Sequence, residues 1–208
     1  MSSTSSPSSL ALSRRSALAL LALAAAVPTL AAAAGPAVAD APPGDSIYQL
    51  HPALTDQDGH PYDLAATRGA PVIVSMFYSG CEMVCPVIFE TIAQTVKALP
   101  PAERARARVL MISFDPGRDT VAVLKATAQR HGCDERWRLV RASEADVRRV
   151  AAVLGVQYRK LPSGEFNHSS QILLLDAQGR IAKRTGLLGS VDADFVAAIH
   201  GALAAPAS

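Results

Sequence analysis

Residues 70–91 read APVIVSMFYSGCEMVCPVIFET. The first nine carry no charge and include several β-branched side chains, as expected of a central strand buried on both faces. From Pro86 onward the apolar spacing of Val87, Ile88, Ile92, Val96 and Leu99 is helical. Pro86 fits the first turn of that helix, where its missing N–H costs nothing. Cys81 and Cys85 therefore lie where a strand ends and a helix begins. The unpaired N–H groups and the helix dipole there favour thiolate over thiol, so both cysteines are expected to ionise readily. Two converging thiolates would prefer a soft cation such as Cu(I). A disulfide that turns over, a structural staple and half of a metal site all fit the pair.

The alternation of strand and helix continues on both sides of this stretch. Upstream, Asp58-Gly59 within residues 48–64 signals a β-hairpin. Downstream, VLMISF at residues 109–114 is a second buried strand, ended by Asp115-Pro116-Gly117. A helix is expected over residues 120–130, a short strand over 137–140, and a helix capped by Ser143 that runs to Leu154 before Gly155. Residues 166–175 lead into the strand QILLLD, residues 180–184 form another strand, and residues 191–203 close as a helix. This order implies an α/β fold: a mostly parallel or mixed central sheet flanked by helices, with antiparallel pairing near its ends and an N-terminal hairpin.

Residues 1–39 read as an export signal and residues 40–208 as a single domain. Arg14-Arg15 precede an uncharged, Ala-rich run that ends in Ala37-Val38-Ala39, a small-x-small cleavage pattern. The Arg pair points to the twin-arginine route. An uncleaved membrane anchor is the alternative, since the run is about long enough to span a bilayer. Val27-Pro28 and the weakly apolar alanines favour cleavage, and either way the domain lies outside the cytoplasm, in the periplasm or an equivalent compartment. Without its two arginines the 20 basic side chains fall to 18, against 18 acidic ones. A near-neutral domain gives no reason to expect nucleic acid as a partner, and a membrane enters only through a retained leader.

Three cysteines are too few for a disulfide scaffold. Cys133 reads as a partly buried or surface thiol. Of five histidines, His51, His60, His131 and His200 read as surface or packing residues. His168 differs, because in EFNHSSQILLL it sits where a polar loop enters a buried strand. An adjacent strand in that position could hold its imidazole against the cysteine loop.

Taken together, the TDQDG hairpin, FYSGCEMVCP, SFDPGRDT, the Trp137 strand and NHSSQILLLDAQGRI resemble the SCO/SenC family of thioredoxin-like copper proteins. The resemblance covers about residues 48–203. It implies a thioredoxin-like fold in which Cys81, Cys85 and His168 bind one copper ion, as Cu(I), Cu(II) or both. It also implies delivery of copper to the dinuclear copper centre of cytochrome c oxidase, or upkeep of that centre's thiols. The partner would be a copper-accepting oxidase subunit or another periplasmic copper protein. The spacer holds Glu82-Met83 where the commoner form has Pro-Asp, and Met83 is read as packing or facing solvent. Asn167 stands where an acidic residue is commoner, so a weaker hold on Cu(II) is expected. Asp115 is read as a loop carboxylate near the site and Asp119 as an N-cap.

The alternative reading is a thiol-disulfide oxidoreductase acting on exported proteins, with Cys81 attacking and Cys85 resolving. Redox thioredoxins have two intervening residues where this chain has three, and a Pro on the opposing loop near the position of Asn167-His168. A purely structural disulfide is disfavoured, since closing so short a loop restricts the unfolded chain little.

Overall fold

Six consecutive buried side chains, Val72–Phe77, make up the strand that carries the cysteine loop. The computed structural model describes residues 41–204, so the export signal expected at residues 1–39 lies outside the described residues. In chain order the strands are β1 (Leu54–Asp56), β2 (Pro61–Tyr62), β3 (Val72–Phe77), β4 (Val109–Ser113), β5 (Trp137–Arg141), β6 (Tyr158–Lys160), β7 (Phe166–His168), β8 (Ile172–Leu175) and β9 (Ile181–Thr185). The helices are α1 (Val84–Ala98), α2 (Pro101–Arg106), α3 (Val121–Arg130), α4 (Glu144–Leu154) and α5 (Ala193–Ala204).

Seven strands form one sheet in the order β2-β1-β5-β4-β3-β8-β9. Pairing is parallel between β3 and β4 and between β4 and β5, and antiparallel elsewhere. This is the expected mixed sheet, with its parallel part confined to the centre. β3, β4 and β8 are buried along their whole length, as strands covered on both faces must be. The hairpin around Asp58-Gly59 is present as β1 and β2. α4 ends at Gly155, whose φ of 67° lets its N–H reach the carbonyls of Ala151 and Ala152.

The structure departs from the expected elements in two places. α2, which begins at Pro101, has no counterpart in the sequence reading, because six residues with no buried side chain leave no periodic pattern. Residues 166–175 do not lead as one piece into the sheet. β7 pairs instead with β6 in a separate two-stranded ribbon, with Tyr158 opposite His168.

What holds that ribbon to the body is aromatic packing. Phe114, just past β4 and 2% exposed, has its ring centroid 5.3 Å from Tyr78, 5.1 Å from Phe166, 5.2 Å from Tyr158 and 5.0 Å from His168. One buried ring thus touches the end of β3 and both ribbon strands. Phe114→Ala is expected to lower unfolding stability by about 3–5 kcal/mol in urea denaturation. A loss below about 1 kcal/mol would mean that the ribbon does not depend on this ring.

Candidate metal centre

The loop after β3 is fixed by a carboxylate the sequence reading placed elsewhere. Asp119 is fully buried and accepts from the Ser79 N–H at 3.2 Å and from the hydroxyls of Ser79 and Ser113. It is not an N-cap: α3 is capped by Thr120, whose side chain accepts from the Val123 N–H. Asp119 joins the carboxyl ends of the parallel strands β3 and β4 and sets the start of the Ser79-Gly80-Cys81 loop. Buried carboxylates are tolerated only when hydrogen-bonded in this way.

α1 opens at Val84, after an N-cap Met83 that makes no side-chain capping bond. The cap is supplied by sulfur: the Cys85 N–H donates to Cys81 Sγ at 3.3 Å. Burial pushes the Cys81 thiol up, but hydrogen bonds from Cys85 and from the Val84 and Met83 backbone outweigh it and hold the thiol below its ordinary range. Cys85 behaves in the opposite way. Its burial pushes the thiol far up, against a backbone hydrogen bond at Tyr78, and the charges of Cys81 and Asp119 push in the same direction. The expectation that both thiols ionise readily thus holds for Cys81 and fails for Cys85. The helix start favours a thiolate, but a residue 3% exposed loses more from desolvation than the helix N–H groups return.

His168 approaches from the ribbon. A ring nitrogen of His168 and the two sulfurs all lie within 4.8 Å of one another. Its Nδ1 is 3.3 Å from the Ser169 carbonyl; donating there, it leaves Nε2 as the free lone-pair donor. That backbone carbonyl stands where a neighbouring acid was expected to act, while Asn167 is exposed and lies opposite Arg159 in the ribbon. Bonds of the length zinc makes to thiolate and imidazole, about 2.0–2.3 Å, nearly span such a triangle. The donor set is soft and three-membered, which suits Cu(I) and leaves one face open.

That face is a cleft of about 660 Å³ whose lining includes Cys81, Glu82, Met83, Glu165 and His168. Met83 faces solvent there. Tyr78 closes the inner wall and donates to Glu165; burial and that hydrogen bond push its phenol well above the usual range, so it stays a donor. Arg118 straps the two halves together. Its Nε is 3.0 Å from Asp115, and it donates to the Gly164 carbonyl in the ribbon turn. A Cβ at Gly80 would come within 2.9 Å of the same guanidinium, which would have to shift to admit it. Asp115 is 3% exposed and faces the ribbon through Arg118 and through Lys160, whose Nζ is 3.9 Å away.

The remaining candidates have other partners. His60 lies 3.8 Å from Asp56, His200 lies 2.6 Å from Glu103, and His131 stacks on Phe89 at 4.1 Å. Burial and Arg130 hold His131 below the usual imidazole range. His51 is exposed. Cys133 packs against the core, its thiol pushed up to about 12 by burial and Asp134. Tyr78, Arg118, Asp119 and Glu165 were missed as builders of the site.

The family model SCO1/SenC matches residues 43–202. A curated relative, "Putative copper-binding protein" of Stutzerimonas stutzeri, is 29% identical over 53% of this chain and 56% of its own length. The chain thus spans about half the length of that relative. Among solved structures, ScoI of Bradyrhizobium japonicum with copper bound is 25% identical, with a TM-score of 0.63 over 72% of this chain and 96% of that one. ScoI of Arabidopsis thaliana with copper bound is 21% identical, with a TM-score of 0.62 over 71% and 95%; at that identity the likeness is one of fold.

The two loop thiols should differ sharply in reactivity. With limiting iodoacetamide at neutral pH, Cys81 is expected to alkylate at least about tenfold faster than Cys85 or Cys133 in the reduced protein, read by peptide mass spectrometry. Equal rates at Cys81 and Cys85 would contradict the assigned ionisation.

Proposed function

The chain belongs to the SCO1/SenC family, and we propose that it carries copper for the assembly of cytochrome c oxidase. In this reading Cys81, Cys85 and His168 hold one copper ion and pass it to a copper-accepting oxidase subunit or another periplasmic copper protein. The observation that supports it is the convergence of two sulfurs and one imidazole within 4.8 Å beside an open cleft. The export segment read in residues 1–39 supports a place for the domain outside the cytoplasm. Among the described residues no helix is long and apolar enough to cross a membrane.

Each ligand has a distinct part in such a cycle. Cys81, half-exposed and the readier thiolate, takes the ion first. His168 follows with Nε2, oriented by the Ser169 carbonyl. Cys85 joins as its proton leaves, because a thiol must deprotonate to ligate. Its raised affinity for that proton keeps the hold on copper reversible.

The thiol asymmetry also favours a second reading, a thiol-disulfide oxidoreductase. An accessible, readily ionised Cys81 beside a buried Cys85 is what an attacking and a resolving thiol require. The two readings part at His168, which a dithiol exchange does not use. Insulin reduction at the rate of a true thioredoxin, undiminished in His168→Ala, would favour the second.

In anaerobic titration of reduced protein against a competing chelator, Cys81→Ser should abolish stoichiometric Cu(I) binding, and with Cu(II) the sulfur-to-copper charge-transfer absorption should vanish. Binding as tight as wild type would sink the proposal. Proton release supplies an independent check. Between about pH 7 and 9, Cys85 is still protonated in the free protein and loses its proton on ligation, so log K for Cu(I) should rise by at least about 1 per pH unit. A flat profile would remove Cys85 from the ligand set.

A further inference from the structure

Three methionines lie among the described residues, and two of them, Met76 and Met111, are core side chains 3% and 0% exposed. Met83 is 81% exposed. A side chain so placed gains almost nothing from burial, so packing does not account for it. Helix capping does not account for it either: Met83 is the N-cap of α1, makes no capping bond, and occupies a position that Ser, Asp or Asn serves better. What the position does supply is a soft thioether on the lip of the cleft into which Cys81 and His168 open. The exposed carboxylates of Glu82 and Glu165 line the same cleft and raise the local concentration of cations there.

We infer that Met83 is a transit ligand for Cu(I), taking the ion on its Sδ at the cleft mouth and exchanging it with Cys81. The inference rests on the reading of Cys81, Cys85 and His168 as a Cu(I) site. On entry an Sδ–Cu bond forms as a bond to the donor breaks. A Cys81 Sγ–Cu bond then forms as the Sδ–Cu bond breaks. Copper remains Cu(I) throughout and no electron moves. The thioether is neutral and carries no proton, so the only proton released is that of a thiol as it ligates. Softness selects Cu(I) over harder ions. A single uncharged donor holds it too weakly to compete with two thiolates and an imidazole, and so does not trap it. Departure is the same sequence reversed, with the acceptor's ligand in the donor's place.

Met83→Leu keeps the shape and removes the donor. Anaerobic stopped-flow mixing of reduced protein with the Cu(I) complex of bicinchoninate is expected to show uptake slowed roughly tenfold in Met83→Leu, with stoichiometry and equilibrium affinity unchanged. Iodoacetamide alkylation of Cys81 should proceed at the wild-type rate in the same variant, which separates loss of the donor from a disturbed loop. Wild-type uptake by Met83→Leu overturns the inference. So does slowed alkylation in step with slowed uptake, or a collapse of equilibrium affinity, which would make Met83 a resident ligand. Failure of the underlying copper reading looks different: Cys81→Ser would then bind Cu(I) as tightly as wild type.

Discussion

The buried carboxylate of Asp119 is the constraint on which the site depends. It receives the Ser79 backbone N–H and the hydroxyls of Ser79 and Ser113, and so ties together the ends of two adjacent parallel strands. A fully buried carboxylate has no water to fall back on, so these bonds are obligatory rather than optional. They determine where β3 stops, and therefore where Gly80, Cys81 and the first turn of α1 begin. From that start Cys81 Sγ meets the Cys85 N–H, and the thiolate character of Cys81 follows. The same geometry buries Cys85 and gives it the opposite character.

The third candidate ligand stands on a different foundation. His168 lies on a two-stranded ribbon outside the main sheet, held by the Phe114 cluster, by Tyr78 donating to Glu165 and by the Arg118 strap. The cysteines thus follow the central strand β3, in its loop and in the first turn of α1, while the imidazole sits on a smaller element packed against them by side chains. Two sulfurs set by one part of the fold and an imidazole set by another make up the proposed site. A carrier that must both hold and release a soft ion has a use for that division.

Much of this was legible in the sequence where the signals are local. The uncharged run before Cys81, the helical spacing after Pro86 and the Ser143 to Gly155 helix each carry their pattern within a few residues, and each is found as read. His168 was singled out by its place before a buried strand and tied to the cysteines by family resemblance. What escaped notice depends on partners far along the chain. β6 reads Tyr-Arg-Lys, with no apolar alternation to mark a strand, and its pairing with β7 rests on packing against Phe114. Asp119 looks like a helix cap beside Thr120, and only the return of Ser79 from 40 residues away shows otherwise. The proton affinity of Cys85 was misread because a helix start is visible in sequence, whereas burial is not.

On the proposed function, copper is held by two sulfurs, from Cys81 and Cys85, and one nitrogen from the ribbon. X-ray absorption at the copper edge, on reduced protein loaded with a single equivalent of Cu(I), tests this most directly. Two sulfur neighbours and one imidazole nitrogen are expected, with the nitrogen scattering lost in His168→Ala. A sulfur-only environment that this substitution leaves unchanged would contradict it.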